Sequence, residues 1–201
     1  MFQRFIKRVG SKCEVADGKS FDYGGTKVKV SLPVPHGSEH SELGWVLMVT
    51  VESQEDKFLH ASDVQGPMSM QTTQVILKES PDMLILAGPP TYLEGVKVDK
   101  VEIRNGMENA ARIAGKVPRL LFEHHLLRDE RWRDRAKPVY EAGASIGAVV
   151  STAAEFANVQ PQLLEAVRLG LYEEEPPTEK FLKWSKLKRE KQRTQLPPVE
   201  L

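Results

Sequence analysis

Apolar and polar positions alternate through the first half of the chain and change to a helical rhythm in the second. From Thr26 to Leu32, Val28, Val30 and Leu32 fall on one side and Lys27, Lys29 and Ser31 on the other, the pattern of a half-buried strand. Gly44 to Val51 is apolar on both faces, which predicts a central strand. Lys57–Ala61 reads as a short edge strand, Met68–Lys78 as a long strand rich in Thr, Val and Ile, and Met83–Ala87 as another apolar strand. Asp17-Gly18, Gly24-Gly25, Gly66-Pro67 and Pro81-Asp82 punctuate the runs as turns, and Gly88-Pro89-Pro90 cannot remain regular. Val96–Ile103 alternates with a change of phase at Asp99-Lys100, as a β-bulge would produce. Short turns between these runs predict an antiparallel meander in place of βαβ units.

Asn105 begins the helical part. With Glu108 three residues on, it has the form of a capping box for a helix over 107–114, closed by Gly115. Pro118 is expected to open a second helix carrying Leu120, Leu121, His124 and Leu127, with a charged, solvated end over 128–135. The stretch 137–156 is the most constrained: Pro138 suits a first helical turn, and no ionisable side chain lies between Glu141 and Glu155. A helix apolar or small all round belongs in an interior, with Gly143 and Gly147 admitting a neighbouring backbone. Asn158 ends it, Pro161 opens a helix bearing Leu163, Leu164, Val167 and Leu171, and 173–177 is an acidic, proline-containing linker. Thr178 caps a last helix with Phe181, Trp184 and Leu187, and the tail from Leu196 is extended.

These elements define an α+β chain, an N-terminal antiparallel β-meander followed by a C-terminal helical layer of four to five helices. It divides into a basic amphipathic segment (1–19), a β-rich part (20–105), a helical part sharing its core (106–172), and a linker with a basic helix and tail (173–201).

Composition narrows the functional classes. With 28 basic and 28 acidic residues the net charge of the 201 residues is zero, so the surface as a whole does not coat nucleic acid. Zero net charge favours self-association. One cysteine, Cys13, rules out an internal disulfide and points to a reducing, cytoplasmic compartment, with membrane association through amphipathic segments as the variant of that reading. No apolar run approaches the ~20 residues of a membrane-spanning helix.

Both ends carry cations beside apolar residues. Near the start these are Phe2, Arg4, Phe5, Lys7 and Arg8, a helix suited to packing on the domain, to an anionic surface or to a presequence. Near the end they are Lys180, Lys183, Trp184, Lys186, Lys188 and Arg189, suited to phosphates, an anionic membrane or an acidic groove. The leading expectation is a non-enzymatic assembly or scaffold-like protein without cofactor, whose charged ends contact another protein, a second copy or a membrane surface. RNA or single-stranded DNA held by the last helix is a further expectation.

Catalysis is the alternative. His125 and Asp129, four residues apart, share a helical face and could hold a metal, as could His36 and His40 around Glu39 in a polar loop. Either pair would suit a metal-dependent hydrolase or nuclease. Neither His124 nor His125 has the second histidine of the zincin pattern. Gly143-Ala144-Ser145-Ile146-Gly147 matches the nucleophile-elbow spelling, but that motif needs a strand before the serine, and here a helix is expected. Basic neighbours Lys12 and Lys19 could lower the Cys13 thiol, although a lone cysteine near a terminus is more often inert.

Overall fold

The computed structural model describes residues 2–198, with the side chains of Phe2 and Gln3 outside that description. The chain forms two compact units, Met1–Gln162 and Leu163–Leu201. The boundary drawn from composition at 172/173 falls inside a helix, Arg168–Glu174.

The first unit opens with α1 (Phe2–Arg8), as the apolar spacing predicts. Then come β1 (Ser20–Tyr23), β2 (Thr26–Val30), β3 (Val34–Pro35), β4 (Trp45–Val46), β5 (Val49–Glu52) and β6 (Lys57–Ala61). Helix α2 (Met70–Glu79), β7 (Met83–Ala87), α3 (Lys100–Ala114), β8 (Arg119–Glu123), α4 (Trp132–Ala144), β9 (Val149–Thr152) and α5 (Ala153–Phe156) complete it. Seven strands make one sheet in the order β1-β2-β5-β6-β7-β8-β9, while β3 and β4 pair separately.

The fold is α+β, and its sheet has two halves of different construction. Strands β1, β2, β5 and β6 are antiparallel neighbours, the expected meander. From β6 onward the pairing is parallel, with α2, α3 and α4 as the connections. The meander therefore leads into three successive βαβ units, and the expected helical layer contains two more strands. Lys57–Ala61 is no edge strand: it lies between β5 and β7 and turns the sheet from one pairing mode to the other.

Residues 68–78 form a helix where a strand was expected. Ser69 caps α2 by accepting the Thr72 N–H at 3.3 Å, and Thr72, Thr73 and Ile76 share its buried face. Burial on the helical period outweighs the β-branched composition. The phase change at Asp99-Lys100 is the start of α3, whose buried Ile103, Gly106, Ala110 and Ile113 keep a 3–4 spacing; Asn105 lies inside that helix and caps nothing. Pro118 leads into a strand, with Leu120, Leu121 and Phe122 all buried, as a parallel strand covered on both faces requires.

The supposed interior rod is helix, turn and strand. Pro138 lies within α4, whose buried face is Trp132, Ala136, Val139 and Gly143. Gly147 takes a φ of +72°, the left-handed geometry that turns the chain into β9. A Cβ on Gly143 would stand 2.6 Å from Val150 Cγ2, so this glycine admits β9 beside α4. Leu32, expected on a covered sheet face, is 71% exposed.

The core sits where Leu59, Leu84, Leu86, Leu120 and Phe122 meet Ile76, Ile113 and Val139, all almost wholly buried. Each buried aliphatic contributes about 1.5–3 kcal/mol relative to exposure, which fixes the parallel strands firmly. Thr152 and Glu155 form the capping box found at α5.

The second unit holds α6 (Arg168–Glu174), α7 (Glu179–Ser185) and α8 (Arg189–Gln192). Pro161 precedes turns and opens no helix, and the acidic run expected as linker is partly helical. Thr178 caps α7, accepting the Phe181 N–H at 3.2 Å. Among the described residues, no helix is long and apolar enough to cross a membrane.

Candidate metal centre

Strand direction determines what meets at the site. Parallel strands place all their C-terminal ends on one edge of the sheet, where ligand sites of open α/β sheets form. Asp63 follows β6 by two residues, and His124 and His125 follow β8 directly, with β7 between the two strands. His36 comes from the loop after β3.

These four side chains converge. Asp63 Oδ1 stands 3.0 Å from His124 Nε2, 3.2 Å from His125 Nε2 and 3.8 Å from His36 Nε2. One ligand atom from each of His36, Asp63 and His125 lies within 4.8 Å of the other two. The His124 and His125 rings are 4.1 Å apart, and His124 Nδ1 is 3.5 Å from Glu123 Oε1. His36 Nε2 is buried and has no hydrogen-bond partner, although it faces the carboxylate. A buried nitrogen left this way normally costs about 1–3 kcal/mol, and a cation between it and Asp63 would satisfy it.

Backbone geometry supports the arrangement. Asp63 and Gln65 have φ values of 63° and 53°, so a left-handed bend follows β6 and carries the carboxylate back over the strand ends. Gly66 N donates to Ala87 O at 2.8 Å, tying this bend to the end of β7. A Cβ on Gly66 would lie 2.7 Å from Gly106 Cα, which lets the bend rest directly on α3. Asn109 of α3 donates from Nδ2 to Pro67 O at 3.1 Å.

The His36 loop is fastened to the same bend. A Cβ on Gly37 would meet Gln65 Oε1 at 2.7 Å, and Ser69 Oγ donates to Glu39 Oε1 at 3.0 Å. Below the histidines, a Cβ on Gly88 would stand 2.5 Å from Leu126 Cβ, so β7 passes close beneath the turn after β8.

Electrostatics favour the ligand forms. Burial, and then the charge of His124, push His125 from 6.5 down to about 4, leaving its imidazole neutral near pH 7. Burial alone would raise the Asp63 carboxyl. His124, by charge and hydrogen bond, with His125 and His36, brings it below the ordinary value. A neutral imidazole and an ionised carboxylate are the donor states a divalent cation needs.

Of the four residues expected at a metal, His36 and His125 belong to this group, each with a different partner from the one expected. His40 is exposed and outside it. Asp129 instead accepts the Arg131 N–H at 2.9 Å and faces Arg135 Nε at 3.7 Å, stabilising the start of α4. The expected helix for the His125/Asp129 pair is absent: the chain there is strand end and a short 3-10 turn, Leu126–Arg128.

Asp63 does not stand out in the sequence, and His124, read as a helix residue, is set aside there because it has no second histidine at the zincin spacing. The available signal was Ser62-Asp63 placed directly after a short apolar strand. It carries weight only once β6 is known to be parallel to β8.

The other candidates lie elsewhere. Arg4, Phe5, Lys7 and Arg8 are exposed on α1, while the Phe2 side chain lies outside the described residues. In the second unit Lys180, Lys183, Lys186, Lys188 and Arg189 are exposed and Trp184 is half-buried. Cys13 is exposed. Ser145 follows α4 and precedes β9, the reverse of the strand-to-helix order of a nucleophile elbow, and its hydroxyl donates to Ala142 O at 2.7 Å.

Fold and geometry thus define an α+β protein with a two-histidine, one-carboxylate cluster at the ends of its parallel strands. The chain is 38% identical over 170 residues to a UPF0282 protein of Methanopyrus kandleri, a match taking in 85% of this chain and 57% of the relative. A UPF0282 protein of Korarchaeum cryptofilum is 35% identical over 177 residues, and one of Saccharolobus islandicus 34% over 175; each match takes in 87% of this chain. The chain therefore spans little more than half the length of these curated relatives. No family model matches it.

Proposed function

We propose that this chain supplies a divalent-metal site to a metal-dependent hydrolase acting on a phosphate or carboxylate ester, the nuclease reading included. The observation that carries it is the close grouping of His36, Asp63 and His125, with the buried His36 nitrogen facing the carboxylate and otherwise unpartnered. Two imidazoles and a carboxylate suit zinc or another borderline cation, and three protein ligands are what a catalytic site with an open position uses. A metal held there would polarise a bound ester oxygen and bring the acidity of a bound water to near pH 7.

The chain's own residues supply the remainder. His36 and His125 present ring nitrogens toward the Asp63 carboxylate. His124, its side chain 34% exposed between Asp63 and Glu123, is placed to hold a proton on Nε2 and exchange it with solvent. Arg128 donates to Tyr92 OH at 3.0 Å beside this edge and adds positive charge for an anionic substrate.

The assembly reading rests on the exposed cations of α1 and of the second unit, which leave room for a protein, self-association or membrane contact in addition to the metal site. A reducing compartment, read from Cys13, belongs to the same proposal.

The test is hydrolysis of bis(p-nitrophenyl) phosphate and p-nitrophenyl acetate by the chain supplied with Zn²⁺ or Mn²⁺. Turnover of either that disappears in Asp63→Asn and with chelator supports the reading. No turnover with any divalent cation, or turnover indifferent to Asp63→Asn, contradicts it.

A further inference from the structure

Charge in the second unit is segregated along the chain. Glu173, Glu174, Glu175 and Glu179 precede a stretch from Lys180 to Arg193 that contains seven lysines and arginines against Glu190 alone. All seven cations are exposed. Among the described residues, Lys183 is the one of them in an ion pair, with Glu179 at 3.5 Å.

The two aromatic residues between them are engaged within the unit, while Leu182 is exposed. The Trp184 indole N–H donates to Gln195 O at 2.9 Å, and its ring lies 5.7 Å from that of Phe181. Gln192 Nε2 donates to Ser185 O at 2.9 Å and to Trp184 O at 3.3 Å, holding α8 back against the end of α7. The result is a small helical hairpin closed by its own aromatics, with cations on the outside.

That distinction selects the partner. An amphipathic helix on a membrane needs its aromatic face free to enter the interface, and a single-strand binder needs rings on which bases can stack. Here Trp184 and Phe181 face one another and the indole N–H is engaged. What the hairpin offers outward is a run of exposed ammonium and guanidinium groups, of which only Lys183 is in an ion pair among the described residues. Such groups gain most from the densest array of phosphates, since each contact releases condensed counterions.

We propose that the hairpin from Lys180 to Arg193 is a docking surface for a nucleic-acid duplex, gripping its phosphate backbone without reading its sequence. It works independently of the metal centre.

The test is binding of the full chain to a short mixed-sequence duplex, as DNA and as RNA, across a series of salt concentrations. A matched single strand and phosphatidylserine vesicles are the comparison arms. The log–log salt slope should become shallower by about 2–3 in the triple variant Lys186→Gln, Lys188→Gln, Arg189→Gln, and by about 2 in Lys180→Gln, Lys183→Gln, since each lost phosphate contact removes roughly 0.9. Trp184 emission reports that the hairpin persists in both, and chelator should leave duplex binding unchanged, which separates this outcome from that at the metal site. Binding to either duplex with those changes supports the proposal. Unchanged slopes in both variants, tighter binding to the single strand or the vesicles, or no duplex binding at low salt overturns it.

Discussion

His125 Nε2 stands 3.2 Å from Asp63 Oδ1, although 62 residues separate them in the chain. Strands β6 and β8 bring them together: both end at the same sheet edge, and the left-handed bend at Asp63 reaches across the end of β7 between them. The contact is therefore a product of parallel topology, and its consequences can be measured through stability as well as chemistry.

The first consequence is a dependence on pH in the metal-free protein. Burial first, and then the neighbouring His124, push folded His125 from 6.5 down to about 4. Between those values the unfolded chain binds the proton and the folded one does not, so acidification favours unfolding. Stability is full above about pH 6.5 and falls as the pH approaches 4, by on the order of 3 kcal/mol for this group. Asp63, whose carboxyl is lowered, adds a loss at still lower pH as it is protonated. Thermal melts of chelator-treated protein at pH 7.5 and 5 measure this, and His125→Gln should show a clearly smaller drop. Equal drops in the two proteins would refute the assignment.

Ser69 carries two tasks. Its hydroxyl caps α2 and donates to Glu39 Oε1, which holds the His36 loop. Ser69→Ala should lower stability by about 1 kcal/mol through the lost cap. It should also weaken metal binding several-fold, as loss of a supporting contact around a ligand does. Ser80→Ala, at the other end of the same helix, should leave metal affinity unchanged. Competition with a chromophoric chelator distinguishes the two.

Gly143 tests the reading of the α4–β9 turn. Gly143→Ala puts a methyl 2.6 Å from Val150 Cγ2, and overpacking of this kind costs about 1–3 kcal/mol. Adding Val150→Ala should restore part of the lost stability in chemical denaturation. A double variant no better than the single would show that the glycine serves another purpose.

In the antiparallel half of the sheet, β2 was legible because Lys27 and Lys29 alternate with Val28 and Val30, and β5 because its apolar run marks a strand with neighbours on both sides. The parallel half was obscured by the burial that makes it stable. Leu120, Leu121 and Phe122 are covered on both faces, so they carry no period of two, and a proline before them reads as a helix start. Thr72, Thr73 and Val75 resemble a strand by composition, and tertiary burial of Thr72, Thr73 and Ile76 makes them a helix. The small residues from Gly143 to Gly147 resemble a buried rod but serve a tight turn and a close strand.

The site inherited these errors. His36 and His125 stand out as histidines, yet their common partner Asp63 is identified by chain crossing alone, which no local spacing records. Thr178 was readable because a cap depends on its own three neighbours.

The most direct test is a Zn²⁺ titration of chelator-stripped protein followed by its melting temperature. The account predicts a rise that saturates at about one equivalent per chain, disappears in Asp63→Asn and His125→Ala, and survives in His40→Ala and Asp129→Asn. A melting temperature indifferent to zinc, or a rise that persists in Asp63→Asn, would contradict it.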